Sequence, residues 1–562
     1  MSAQTHQAHH ISEDNDLLRL YDNKPVSIGI DLGSSLLRVG IYDSQDATEI
    51  AGTSTAVGYH QESSEESCWE YTQSPEDIIL AIYKCFKQLD ISSYNVFSCG
   101  VSATCSMVIV ECEDSSRWCI GDEYSDAVVF WMDNSAIEET KFLNNICDNT
   151  ILDTLGGSFI PEMGAPKLLK FINKVSNYYT DYVVLDLHRY IALKIMQEYG
   201  FAYKGFINKS NPNGVANDGE CLGWSDKFYS DILKVPSNID IGILEDYIPK
   251  VSSDITSVSC IDCYSSWFAT FPYSKKNTLF IAAGTSSCYL YMKDKTNDKV
   301  STLPNIKGIW GPFTGVIDEN HPVYEAGSSC SGKLLEHLFN LHSASTQSMK
   351  DDILNIEDYV EFWESKHNKS YHWNIKHVFY YGDLDGNRTP FADPNMRGMF
   401  IGESSEASYE DLIDRYFACL EFLAFQSKLL ITEFKKLGPV DQLIVTGSQA
   451  ENSRLLNLIS LMNDDIRIQI PKENANLMGT KGAALMSIYA KNGKSIIDSL
   501  NNTLSDSNND SFFEVNLGSN KFKTDDSKLR ELLNAKFKIN IDMAKQQKKY
   551  RELINIVTQA SD

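Results

Sequence analysis

Residues 26–43 read VSIGIDLGSSLLRVGIYD. VSIGIDLG is an apolar strand running into a glycine turn, and LLRVGIYD is a second strand, so the pair reads as a hairpin. Gly33 lets the backbone turn tightly and come close to a ligand. Ser34 and Ser35 offer N–H and hydroxyl donors there. Asp31 closes the first strand with a carboxylate of the kind that holds Mg2+ through water. Residues 277–293, NTLFIAAGTSSCYLYMK, repeat the plan: strand, glycine turn with hydroxyls, strand. A single turn of this kind is more simply an ordinary polar hairpin. Two of them, each after an apolar strand, predict two related halves whose turns grip one polyphosphate.

The rest of the chain alternates helix and strand, which predicts an α/β class. Residues 75–89 have helical apolar spacing, and FSCGVSATC (97–105) and DAVVFWMD (126–133) read as short strands. A long helix is expected over 409–438, with Ser408 as N-cap and Gly438 as its stop. QLIVTG (442–447) reads as a buried strand, followed by a helix through RLLNLISLM (454–462). Residues 501–510, NNTLSDSNND, read as a polar linker without core-forming residues. SKLRELLNAKFKI (527–539) and AKQQKKYRELINIV (544–557) read as two closing helices.

Composition narrows the function. The 562 residues are 43% hydrophobic and carry a net charge of −26. So acidic a chain is repelled by phosphate backbones and anionic lipid, which argues against nucleic acid and membrane as partners. A small anionic ligand remains compatible, held by backbone N–H groups and one or two cations. Residues 1–24 are polar and partly acidic, read as a disordered tail and not a targeting segment. No apolar run is long enough to span a bilayer. Thirteen scattered cysteines, an odd number, suit a reducing, cytoplasmic setting. His6, His9 and His10 read as part of the solvated tail.

Two near-motifs need weighing. GSSCSGKL (327–334) almost spells a phosphate loop, but Leu334 stands where a hydroxyl should hold Mg2+. Its glycine-rich turn, opening a helix, remains a place where backbone meets phosphate. CIDC (260–263) has no second C-x-x-C to complete a zinc site, and an acid, Asp262, sits between its sulfurs.

Taken in order, several segments resemble the FGGY carbohydrate kinases, of the D-ribulokinase type, over about residues 26–490. The similar segments are IGIDLGSSLLRVGIYD, GVSATCSMVIV, WMDNSAIEE, IPEMGAPKLLKF, SCIDCYSSW, AAGTSSCYL, YEAGSSCSG, DGNRTPFADPNMRG and VTGSQAENSRLL. The resemblance implies two RNase H-like lobes of the actin-like ATPase kind, with a nucleotide and sugar cleft between them. It sets residues 25–275 as the N-terminal lobe and 276–490 as the C-terminal lobe, with 491–562 as polar loop and helices. ATP and Mg2+ are the implied cofactors. Asp262 matches the family's catalytic base, so Cys260 and Cys263 read as packing residues. Asp31 would face magnesium. Gly33, Ser34, Ser35 and Arg38 would line the terminal phosphates, and Gly284, Thr285 and Ser286 would do so from the other lobe. Gly327, Gly447, Ser448 and Asn452 would cradle the nucleotide, and Thr104, Trp131 and Asp133 would border the sugar. For Trp131, plain core packing is an equal reading.

The chain departs from the family's pattern at Ser102, Asn134, Ser135, Tyr264, Ser265, Ser266, Asp385 and Ser448. The implied reaction is ATP-dependent phosphorylation of a ketopentose, D-ribulose to D-ribulose 5-phosphate first. Another pentulose or a polyol stays open as acceptor, and so does a homodimer. Two other classes stay open as well. One is a catalytically impaired relative that binds nucleotide or sugar as a partner, which the substitutions favour and retention of Asp31 and Asp262 opposes. The other is an actin-like ATPase without a sugar.

Overall fold

The computed structural model describes residues 24–63, 69–112, 127–175, 180–206, 223–242, 254–274, 277–294, 303–318, 320–472, 475–501, 512–514 and 526–559. The expected tail thus lies almost wholly outside the described residues, as does most of the 501–510 linker.

The first lobe is built on six strands: β1 (Pro25–Leu32), β2 (Leu36–Asp43), β3 (Glu49–Ala56), β4 (Asn95–Ala103), β5 (Ala202–Phe206) and β6 (Thr256–Ile261). They lie in the order β5-β6-β4-β1-β2-β3. β1, β2 and β3 form an antiparallel meander, and β4 and β6 extend it in parallel. Val26, Ile28, Ile30 and Leu32 on β1 are all fully buried. These four share one face of the strand; Ser27 and Asp31 on the other face are buried as well, so the sheet is covered on both faces. A second six-stranded sheet, from strands within residues 60–241, flanks this lobe.

The second lobe repeats the plan. Its strands are β7 (Thr278–Ala283), β8 (Ser287–Met292), β9 (Trp310–Phe313), β10 (Val323–Ser328), β11 (Gln442–Thr446), β12 (Arg467–Pro471) and β13 (Phe512–Glu514). Their order is β9-β10-β8-β7-β11-β12-β13. β7, β8 and β10 are antiparallel, and β11 and β12 continue in parallel from β7. The run β10-β8-β7-β11-β12 therefore matches β3-β2-β1-β4-β6, and the two quoted hairpins occupy equivalent places. This is the two-lobed α/β fold the sequence predicts.

Local chemistry sets the helices. In α1 (Pro75–Gln88), Ser74 accepts from the Asp77 amide at 3.1 Å, Pro75 opens the first turn, and Glu76 and Asp77 face the positive helix end. Helix α2 (Asp262–Phe268) follows β6 directly, and α3 (Gly332–Leu341) follows β10. Ser408 caps α4 (Tyr409–Phe434) as expected, accepting from the Asp411 amide at 3.3 Å. Gly438 is not its stop. The helix ends at Phe434, the Leu437 amide then turns back to Phe434 O, and Pro439 bars continuation. Gly438 instead makes room for Tyr291, since a Cβ there would lie 2.6 Å from its hydroxyl.

Helix α5 (Met478–Lys491) leaves the second lobe and packs on the first sheet beside α2. Its backbone lies directly on β1 and β4: a Cβ on Gly29 would sit 1.9 Å from Thr480 O, and one on Gly100 1.8 Å from Ala483 O. The two expected closing helices are one, α6 (Asp526–Gln559). The residues joining them include no glycine or proline to interrupt it. Buried Leu529, Leu533 and Met543 hold α6 to the second lobe, where Lys536 pairs with Glu421 and donates to Ile375 O at 2.9 Å.

Candidate active site

Between the lobes opens a cleft of about 230 Å³, and both hairpin turns line it. On β1, Asp31 stands opposite Arg38 of β2 and, on its other side, opposite Ser102 of β4. The register thus delivers its partners. The Ser102 hydroxyl donates to Asp31 Oδ1 at 2.6 Å, and Arg38 lies 3.7 Å from Oδ2. Burial pushes the Asp31 carboxyl above its ordinary range, while Arg38 and Ser102 oppose that shift. The departure at Ser102 therefore supplies a hydrogen bond to the carboxylate expected to face magnesium. The first turn of α5 closes over it, where a Cβ on Gly479 would lie 2.3 Å from the Asp31 carboxyl.

Asp262 is the first residue of α2, just past the end of β6. Its Oδ1 accepts from the Cys263 amide at 2.8 Å. Burial, and then the charge of Asp31, push its pKa up to about 7, against two backbone hydrogen bonds. A carboxylate held near neutrality in a cleft wall suits general-base work at physiological pH. The neighbouring cysteines are buried, Cys260 within the sheet.

Across the cleft, Gly284, Thr285 and Ser286 form the turn between β7 and β8. The segment opening α3 braces this turn from behind. The amides of Ser331 and Lys333 donate to Thr285 O, and that of Gly332 to Gly284 O. These amides are already used, so the GSSCSGK segment does not present them to a phosphate, contrary to expectation. Gly447 and Ser448 line the far end of the cleft, and Gly447 adopts φ +86°, open to glycine without strain. The hydroxyl of Thr446, also in the cleft wall, is buried without a hydrogen-bond partner among the described residues.

The cleft gathers the expected base Asp262, the expected magnesium carboxylate Asp31 and, of the residues expected at the nucleotide, Gly33, Ser34, Ser35, Arg38, Gly284, Thr285, Ser286, Gly447 and Ser448. Gly327 and Asn452 stand outside its lining. Gly327 exchanges two hydrogen bonds with Thr389 Oγ1, at 3.0 and 2.7 Å. Asn452 caps the helix Ser453–Met462 through the Leu455 amide.

Near the first turn lies a smaller cavity, walled by Trp131, Asn134, Glu162, Lys333 and Asp385 among others. Trp131 joins the two spaces, since its indole N–H donates to Ser34 Oγ at 3.0 Å. Arg388 stacks over the Trp131 ring at 4.8 Å and pairs with Glu162. Lys333 and Asp385 pair at 2.9 Å. Thr104 and Asp133 do not line this cavity. Thr104 bonds Ser106 at 2.9 Å, and Asp133 accepts from the Tyr71 amide at 3.0 Å and the Ser135 hydroxyl at 2.7 Å. Sequence reasoning missed Lys333, Glu162 and Arg388. Lys333 sat in the near phosphate loop, and Arg388 in the segment DGNRTPFADPNMRG, but nothing local shows which space a side chain enters.

The donor set fits a magnesium-bound nucleotide: two carboxylates, Asp31 and Asp262, an arginine, and hydroxyl-rich turns on both walls. Soft or aromatic groups are not needed for that ion. Because a ligand that binds only the folded cleft stabilises by mass action, ATP-Mg2+ is expected to raise the melting temperature. Asp31→Ala is expected to lose the magnesium-dependent part of that rise. A melting curve with and without Mg2+ checks this, and an unchanged magnesium response would count against Asp31.

The chain matches the FGGY family of carbohydrate kinases, C-terminal domain, over residues 279–490. It is 42% identical to Protein MPA43 of Saccharomyces cerevisiae over 543 residues, covering 95% of this chain and 98% of that one. It is 25% identical to a D-ribulokinase of the same yeast, over 80% of this chain and 70% of the relative. Among solved structures, a ligand-bound xylulose kinase from Lactobacillus acidophilus superposes with a TM-score of 0.66 at 16% identity, covering 94% of this chain and all of that one.

Proposed function

Because the chain belongs to the FGGY family of carbohydrate kinases, we propose that this phosphotransferase moves the γ-phosphoryl group of ATP to a hydroxyl of a ketopentose, D-ribulose first. One observation carries the reading: Asp262 faces the same cleft as both hairpin turns. Phosphoryl transfer needs mainly positioning and charge stabilisation, with a base on the attacking hydroxyl. The D-ribulokinase relative supports ribulose as the acceptor.

In this reading Ser34, Ser35, Arg38, Thr285 and Ser286 hold the phosphates from both walls. Gly447 and Ser448 take the adenosine end. Asp31 would hold magnesium, which when bound offsets charge on the phosphate oxygens. The sugar enters beside Trp131, where Asn134, Lys333, Asp385 and Glu162 offer polar groups to its hydroxyls; the space between them is only about 10 Å³, room for about one water, so the lobes open there to admit it. Trp131 forms the wall between sugar and phosphate. Asp262 takes the proton of the attacking hydroxyl, and lobe closure keeps water from competing.

ATP consumption against a panel of pentuloses, pentoses, pentitols and glycerol tests the assignment. The expected result is sugar-dependent turnover with the highest kcat/KM on D-ribulose. Turnover independent of any sugar, or none on the whole panel, would overturn it. A better polyol or aldose would move the substrate and keep the chemistry.

A further inference from the structure

We propose that Cys263, Cys288 and Glu325 bind one divalent ion of the zinc type, in the wall of the cleft between the lobes. The donors come from three elements: Cys263 from α2, Cys288 from β8 and Glu325 from β10. In the antiparallel pair β8–β10, Cys288 faces Gly327 and Leu290 faces Glu325, so Cys288 and Glu325 are diagonal neighbours on one face. The two sulfurs and a carboxylate oxygen all lie within 4.8 Å of one another. Cys288 Sγ and Glu325 Oε1 are 3.5 Å apart. Zinc bonds of about 2.3 Å to sulfur and about 2.1 Å to oxygen give tetrahedral edges of roughly 3.8 Å between sulfurs and 3.6 Å between sulfur and oxygen. Contraction by about 1.2 Å at most therefore closes the set around an ion.

The chemistry selects the ion. Two sulfurs favour zinc over magnesium, whereas the oxygen donors at Asp31 favour magnesium. The second carboxylate oxygen, Oε2, accepts from the Tyr264 hydroxyl at 2.6 Å, the kind of outer partner that orients a metal ligand. Cys263 and Cys288 both line the cleft, which gives an ion a way in and a fourth position open to water. Binding exchanges two thiol protons, released to solvent, for two metal–sulfur bonds. Resemblance to sugar kinases gives Cys263 only a packing role and leaves Tyr264 as an unexplained departure, and the site gives both a task. An ion here ties the helix that begins at Asp262 to the sheet of the second lobe, and so restrains the lobes and slows turnover.

Titration of reduced, chelator-treated full-length protein with Co2+ tests the site, because thiolate ligands give cobalt a charge-transfer absorption that imidazole and carboxylate do not. One equivalent per chain is expected, displaced by Zn2+. Cys288→Ala, or Cys288→Ser if the alanine variant fails to fold, should abolish the band, whereas Cys260→Ala should keep it. Outer-shell changes cost about 10–100-fold in affinity, so Tyr264→Phe should weaken Co2+ binding by about tenfold and Glu325→Gln by more. Melting curves establish that each variant is folded. No band, a band surviving in a folded Cys288 variant, or unchanged affinity in Glu325→Gln would overturn the site. Zn2+ should inhibit wild-type turnover at a concentration at least about tenfold below that needed for the Cys288 variant. Binding without inhibition would overturn the restraint. The absorption is read without sugar or ATP, so its failure and failure of the kinase reading are separate results.

Discussion

Asp262→Asn lowers kcat by about 10²–10⁴-fold, the usual contribution of a positioned general base. The amide keeps the size and shape of the carboxylate but cannot take a proton. ATP and sugar binding change little, because the hairpin turns and the smaller cavity are untouched. Asp262→Ala loses at least as much, since orientation of the hydroxyl goes as well. A residue that merely capped α2 would behave differently: its loss would lower the melting temperature and leave kcat per folded molecule nearly intact. Measuring both on Asp262→Asn separates the two, and near-wild-type turnover in a folded variant would sink the assignment. The same residue sets a pH dependence. A base acts only when deprotonated, and burial and Asp31 hold this one at about 7. The kcat/KM of the wild type should therefore fall as pH drops below about 7, where an ordinary aspartate would still be ionised. A profile flat down to pH 5 would exclude Asp262 as the titrating base.

Gly100→Ala is expected to cost at least about 3 kcal/mol, above the usual range for overpacking. The new methyl would lie 1.8 Å from the Ala483 carbonyl oxygen. Both partners are backbone, one in the central strand β4 and the other in α5, so no flexible side chain can yield. The strand and helix must part, and α5 also closes over Asp31. Loss of stability should therefore come with weaker magnesium-dependent nucleotide binding. Gly58→Ala is the control, because nothing lies within 4 Å of a Cβ there. Urea midpoints of the two variants check the prediction, and similar values would show that α5 does not lie where it is described.

The paired hairpins were legible because each is local. An apolar strand, a glycine, two hydroxyls and a second strand fix the turn without help from elsewhere. Asp262 was legible only by resemblance, since nothing in CIDC says whether sulfur or carboxylate faces the cleft. Capping at Ser408 was local and held. The stop at Gly438 did not, because a glycine also serves close packing, here against Tyr291. The break expected in the last helix failed for a local reason. Two apolar patterns read as two helices, but no glycine or proline lies between them, so one helix runs through both although Leu553, Ile554, Ile556 and Val557 of the second are exposed.

By itself the sequence determined the α/β class, the two related halves and their glycine–hydroxyl hairpin turns, since strand periodicity, glycine and hydroxyl placement act over a few residues. Tertiary structure alone decided the pairings between distant segments. Ser102 reaches Asp31 because β4 lies parallel to β1 at that register. Lys333 meets Asp385 only when the second lobe has folded, and Cys263 comes near Cys288 and Glu325 only when the two lobes are together. The pKa of Asp262 likewise depends on burial and on a charge 231 positions away in the chain. Charge, burial and metal geometry act through space, over distances that chain order does not encode.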